Sequence, residues 1–244
     1  MGIATHYLAR NKRVSGKIIA AGSIACLVAL ATLSTNLGTP IISADHTGKL
    51  SPLAPVTDLA SLDLSGSPLP DLSMLASFPN LTSLDLTGTG ISDVSPLQTL
   101  TGLQTLRLGS NQIEDISPLA SLTSLTSLSL TDNHIEDISA LASLTSLTSL
   151  SLGGNRIENI SPLASLAHLT SLNLSGNRVT DVSSLAPMTG LTALFLDDNR
   201  IADISPLVNL AAPTWLWVGG NPLDGRSVNT LIPLLQERGV VVDW

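Results

Sequence analysis

Aromatic side chains are nearly missing from this chain: two phenylalanines, one tyrosine and three tryptophans in 244 residues. Rings usually dominate core burial, so a chain this poor in them builds its interior from something else. Cysteine occurs once, as Cys26. The chain therefore forms no internal disulfide or multi-thiolate zinc site, and beyond residue 44 it has no cysteine nucleophile. Histidine is almost as scarce there, with only His46, His134 and His168. None of the three accompanies a Gly-x-Ser-x-Gly elbow, a phosphate loop or an HExxH helix. No catalytic residue, metal or cofactor is expected, and the chain reads as a non-enzyme.

Basic charge is also missing where it would matter for nucleic acid. Four of the eleven basic residues (Arg10, Lys12, Arg13, Lys17) precede residue 18, whereas all nineteen acidic residues follow Ala44. The seven remaining cations leave the body twelve charges negative, which repels phosphate backbones. Behind the basic start, Ile18 to Leu33 is uncharged and mostly apolar, the order of a secretory signal. As a helix it spans about 24 Å, short of a bilayer's hydrocarbon thickness of roughly 30 Å, which favours a cleaved signal. Ala29-Leu30-Ala31 and Ile42-Ser43-Ala44 both offer small-residue exits, and the uncharged run to Ala44 leaves an uncleaved membrane anchor open. Residues 1–44 are thus a signal peptide or anchor, the membrane being met only through that leader. Secretion or display on the extracellular face follows.

What the chain has instead is period. Asn111, Asn133, Asn155, Asn177, Asn199 and Asn221 recur every 22 residues, and Thr89 and Ser67 continue the series backward. All but Asn221 follow Leu-x-x-Leu-x-Leu, as in Leu103, Leu106, Leu108 and Leu191, Leu194, Leu196. Alternating leucines describe a short strand with one buried face. The second half of a unit, for example Ser117-Pro118-Leu119, places a hydroxyl cap before a proline at the first helical position and turns the chain back. Burying one unit's leucines does not offset the backbone entropy of fixing 22 residues, so a lone unit cannot fold. Stacked units can, through strand pairing and leucines sealed between turns. The asparagines are then a structural ladder, bonding the backbones of adjacent coils.

On these residues the chain resembles the bacterial internalin-like leucine-rich repeats, whose unit reads LxxLxLxxNxIxDIxPLxxL. The resemblance runs from Leu59 to about Asn221, with a partial unit at Ser51 to Asp58. It implies an α/β solenoid: a right-handed leucine-rich repeat superhelix with a parallel concave β-sheet and short 3-10 or helical turns on the convex side. The expected organisation is a leader over 1–44, a short segment with a partial repeat over 45–58, eight 22-residue units over 59–223, and a C-terminal cap over 224–244. The cap offers a helix with Val228, Leu231 and Leu235 on one side, disturbed by Pro233, and a final strand from Val240 to Trp244. The family's usual helical N-terminal cap has only Asp45 to Asp58 available to it.

Side chains between the strand leucines point out of the sheet. One such column runs Asp63, Asp85, Arg107, Ser129, Ser151, Asn173, Phe195, Trp217; the other runs Ser61, Ser83, Thr105, Ser127, Ser149, Ser171, Ala193, Trp215. Phe195, Trp215 and Trp217 therefore form one cluster, bordered by Asp197, Asp198 and Arg200. Aromatics rimmed by charge suit a protein-binding hot spot. The alternative is that the C-terminal segment, with Trp244, folds over them. Arg156, Arg178 and Arg200 near Glu114, Glu136 and Glu158 read as solvated edge charges. The column Asp71, Asp93, Asp115, Asp137, Asp181, Asp203 reads as turn bonding rather than calcium ligation.

The expected function is an exported or surface-tethered scaffold recognising a protein partner through Phe195, Trp215, Trp217, Asp197, Asp198 and Arg107. The resemblance implies an adhesion-like role. Two alternatives stand beside it: a self-associating envelope protein, and a cytosolic regulator resembling the phosphatase-binding 22-residue repeat proteins.

Overall fold

The computed structural model describes residues 42–44, 50–52, 59–210 and 215–244. Most of the leader over 1–44 and most of the segment over 45–58 lie outside the described residues. At their border β1 (Ile42–Ala44) pairs antiparallel with β2 (Leu50–Pro52).

Nine three-residue strands make one parallel sheet in strict sequence order. They are β3 (Ser61–Asp63), β4 (Ser83–Asp85), β5 (Thr105–Arg107), β6 (Ser127–Ser129), β7 (Ser149–Ser151), β8 (Ser171–Asn173), β9 (Ala193–Phe195), β10 (Trp215–Trp217) and β11 (Val241–Asp243). From β3 to β10 the register advances by one repeat per strand, so that Leu62 meets Leu84 and Leu194 meets Leu216. A parallel pair needs a long return, and each repeat supplies it with a 3-10 turn such as Ser95–Thr99 or Ser161–Ser165. The strand leucines and the convex leucines of these turns, Leu97, Leu119, Leu141 and Leu163 among them, close into one continuous core. Phe78 is the one ring in that core, so aliphatic packing carries it.

The turns start differently from the capping expected at Ser117. Ser117 is the first residue of its turn, Ile116 holds the cap position, and no side chain caps it there. The bond comes from two residues upstream: Asp115 Oδ1 accepts the Ser117 N–H at 2.8 Å. Asp71, Asp93, Asp137, Asp181 and Asp203 accept the corresponding serine N–H in their own coils. Asn159 does so where the column lacks an aspartate. These bonds, and the donated serine hydroxyls, hold the carboxyls of Asp93, Asp115 and Asp203 below the ordinary aspartate range, the backbone N–H contributing most. At Asp71 the Ser73 hydroxyl contributes most to the same lowering.

The asparagines stitch coil to coil. Asn155 Nδ2 donates to Leu130 O of the preceding coil at 3.0 Å and to Leu152 O of its own at 2.9 Å, while its Oδ1 accepts the Ile135 N–H at 3.0 Å. The same set recurs at Asn133, Asn177, Asn199 and Asn221. At Asn111, Oδ1 gathers the N–H groups of Thr89, Gly90 and Ile91. Immediately before each of the six asparagines, and before Ser67 and Thr89 of the same column, the backbone turns left-handed: glycine in five coils, but Ser110, Asp132 and Asp198 in three, with φ near 55°.

The chain closes with a π-wound turn over Ser227–Leu231 running into α1 (Ile232–Glu237) and then β11. Pro233 lacks an N–H to donate, and the wider winding lies immediately before it. The winding places Leu231, Ile232 and Leu235 in the core and leaves Val228 half-buried, one step round from the expected apolar face. Ser227 Oγ donates to Ala202 O and Arg238 Nη1 donates to Val208 O, tying this segment to the last coil.

Candidate functional site

The sheet surface changes character along its length. From β6 to β8 it presents Ser127, Ser129, Ser149, Ser151, Ser171 and Asn173, a field of small polar groups. At β9 and β10 it becomes aromatic. Phe195 and Trp217 stand opposite each other in the register, and their rings meet edge to face at 5.0 Å between centroids and 89° between planes. Trp215 stands opposite Ala193, whose methyl covers little of an indole. Trp215 is 57 % exposed and Trp217 43 %.

The C-terminal segment does not fold over this cluster. It joins the sheet edge as β11, placing Val241 beside Trp215 and Asp243 beside Trp217. Trp244 is itself 58 % exposed. The rings lie open on a hydrogen-bonded sheet whose leucines are buried behind them.

Three aspartates neighbour the aromatic residues in sequence or in register. Asp197 follows Phe195 on the same outward face and accepts the Ser175 hydroxyl at 2.6 Å. Asp198 holds a left-handed turn at φ 55°. Its carboxylate lies over Gly220 of the next coil, where an added Cβ would clash with Oδ1. Asp243 borders Trp217 from the other side. The ion pair between described residues lies elsewhere: Arg107 Nη1 to Asp85 Oδ2 at 3.7 Å. Arg107, on β5, is five strand steps from β10, roughly 24 Å at the usual strand spacing. The sheet thus brings Phe195, Trp215, Trp217, Asp197 and Asp198 together and leaves Arg107 apart. Asp243 was missed in the sequence because its place beside Trp217 depends on β11 joining in parallel.

The edge charges form a second, shallower feature. Glu114, Glu136 and Arg156 line an open depression with His134, whose Nδ1 is buried without a hydrogen-bond partner. Among the described residues no group of three or more His, Cys, Asp or Glu is placed to hold a metal ion, and no helix is long and apolar enough to cross a membrane.

Parallel three-residue strands, 3-10 returns and an asparagine ladder define a leucine-rich repeat solenoid. A family model for leucine-rich repeats, spanning two copies, matches residues 79–121, 101–143, 123–165, 145–187 and 167–209. Internalin C2 of Listeria monocytogenes superposes with a TM-score of 0.73 at 33 % identity, over 81 % of this chain and 86 % of that one. An internalin (inlF) of the same organism superposes with a TM-score of 0.68 at 30 % identity, over 82 % of this chain but 64 % of its own length. A leucine-rich repeat protein of Leptospira interrogans, 24 % identical, shares the fold with a TM-score of 0.60 over 75 % of this chain and 54 % of that one. No curated protein sequence matches the chain. The chain belongs to the internalin-like leucine-rich repeat proteins.

Proposed function

We propose that the chain is an exported or surface-tethered scaffold that docks a protein partner on its concave sheet, with Phe195, Trp215 and Trp217 as anchors and Asp197 and Asp198 on the rim. The observation that carries this reading is the exposure of two tryptophans, side by side on a rigid sheet, in a chain with three. Open indoles in water forgo burial free energy, and an aromatic anchor recovers it on binding at little cost in side-chain entropy. Arg107 contributes only to a partner broad enough to span the sheet. Binding rather than catalysis is the role of such a surface, and the basic-then-apolar leader carries the export reading. An adhesion-like role follows from the family resemblance.

The test is capture of binding partners by the wild type beside a Phe195→Ala/Trp215→Ala/Trp217→Ala variant. The variant is expected to keep its circular dichroism and lose the partner. Equal capture by both defeats the site.

Self-association is the second reading, favoured by one observation: β11 ends the sheet with Val241 and Trp244 exposed beside it. Light scattering on the wild type and a Val241→Lys variant separates the two. A dimer that the substitution dissolves supports self-association, and a monomer in both supports a foreign partner.

A further inference from the structure

The aromatic end is acidic as well as apolar, and its carboxylates are poorly matched within the chain. Asp197 and Asp198 follow Phe195 within three residues and Asp243 stands beside Trp217 in the register, yet none of them pairs with a cation among the described residues. Asp197 has one hydroxyl donor; Asp198 and Asp243 have neither a side-chain hydrogen bond nor an ion pair among those residues. Arg200, two residues after Asp198, forms no ion pair with Asp197 or Asp198 among the described residues. Three like charges around two open indoles raise the local negative potential at the ring faces, which are themselves electron-rich. A neutral apolar partner seated here would desolvate those carboxylates without compensation. A cation would be held by both features together, its charge by the carboxylates and its flat or apolar part by the rings.

We propose that the occupant of this end is a basic segment of a partner protein, which lays an arginine or lysine side chain against Trp215 and Trp217 within reach of Asp197, Asp198 and Asp243. This rests on the docking reading above and names the chemistry of its partner. Arginine fits better than lysine, because its guanidinium stacks on an indole while its N–H fork meets a carboxylate. Association accelerates at low ionic strength, since the field that steers the cation is screened over about 8 Å at physiological salt.

The probe is an end-blocked hexa-arginine peptide, with hexa-citrulline as its uncharged near-isostere, titrated into the full chain by calorimetry and tryptophan fluorescence. Hexa-arginine is expected to bind and to change the indole emission, with hexa-citrulline at least tenfold weaker. Trp217→Ala and Asp243→Asn should each weaken hexa-arginine at least threefold. Asp93→Asn and Asp115→Asn, far from the rings on the other side of the coils, should change it less than twofold. No binding, equal binding of the two peptides, or equal losses from the two groups of variants would overturn the proposal, the last by showing general acidity alone. If hexa-arginine fails while the triple alanine variant still loses its captured partner, the docking surface stands and only its cationic occupant falls. If light scattering shows a dimer of this chain that Trp217→Ala returns to a monomer, a second copy occupies the rings and the proposal also falls.

Discussion

Phe195 and Trp217 sit opposite each other on adjacent parallel strands and pack edge to face, their ring centroids 5.0 Å apart. A parallel register built from identical repeats places equivalent positions side by side, so two aromatics 22 residues apart become neighbours. The contact holds the Trp217 indole upright while leaving much of it open. In a double-mutant cycle of Phe195→Ala and Trp217→Ala, urea unfolding should show a coupling of about 0.5–1.5 kcal/mol. A coupling near zero would mean that the rings are not in contact in solution.

The asparagine ladder should be costly to break in mid-array. Asn155→Ala leaves the N–H of Ile135 without its buried acceptor and takes one of two asparagine donors from each of the carbonyls of Leu130 and Leu152, which keep Asn133 and Asn177. At roughly 1–3 kcal/mol for the orphaned N–H and about 0.5–1 kcal/mol for each carbonyl that loses one of two bonds, the loss is about 2–5 kcal/mol in chemical denaturation. Asn221→Ala removes the equivalent bonds at a half-buried position, where water replaces them, and should cost less.

The left-handed column makes opposite predictions at two neighbouring residues. Asp198 holds φ 55°, where a non-glycine side chain is strained by about 1 kcal/mol, so Asp198→Gly should be neutral or mildly stabilising in thermal melts. Gly220→Ala adds a Cβ at φ 70° against the Asp198 carboxylate and should lower stability by about 1–2 kcal/mol. With Asp198→Gly in place that clash disappears, and the Gly220→Ala penalty should shrink toward the backbone strain alone. Equal penalties in the two backgrounds would separate these side chains.

Acid sensitivity follows from the convex aspartates. Hydrogen bonds from the following serines lower the carboxyls of Asp71, Asp93, Asp115 and Asp203 in the folded chain relative to the unfolded one. A depressed folded value contributes stability that is present above the unfolded value of about 3.9 and is lost as pH falls through the folded value. The melting temperature should therefore decline below about pH 4. Changing all four residues to asparagine keeps an acceptor for the serine N–H, as Asn159 already provides, and removes the titrating charge. That variant should show a shallower decline in acid, and an unchanged acid limb would place the loss elsewhere.

Most of the scaffold was legible because the repeat states each instruction many times. Leucine spacing set the strands, and the 22-residue period set the register that brings Phe195 to Trp217. Less legible were features that depend on backbone winding. The left-handed column was masked by Ser110, Asp132 and Asp198 standing among glycines. The turn cap was assigned to Ser117, whereas the 3-10 start puts the acceptor on Asp115, because an aspartate oxygen reaches the N–H two residues on. In the cap, the π-wound turn moved Ile232 into the core at the expense of Val228. The sequence put the tryptophans on the outward face but left open a Trp244 segment lying over them; β11 pairs at the edge instead.

The most direct test places a photo-crosslinking benzoylphenylalanine at Trp217, on the concave strand, or at Gln98, exposed on a convex turn, and irradiates each protein with its captured partner. Adducts from position 217 and none from position 98 are what concave docking predicts. Adducts from position 98 with none from position 217 would contradict it.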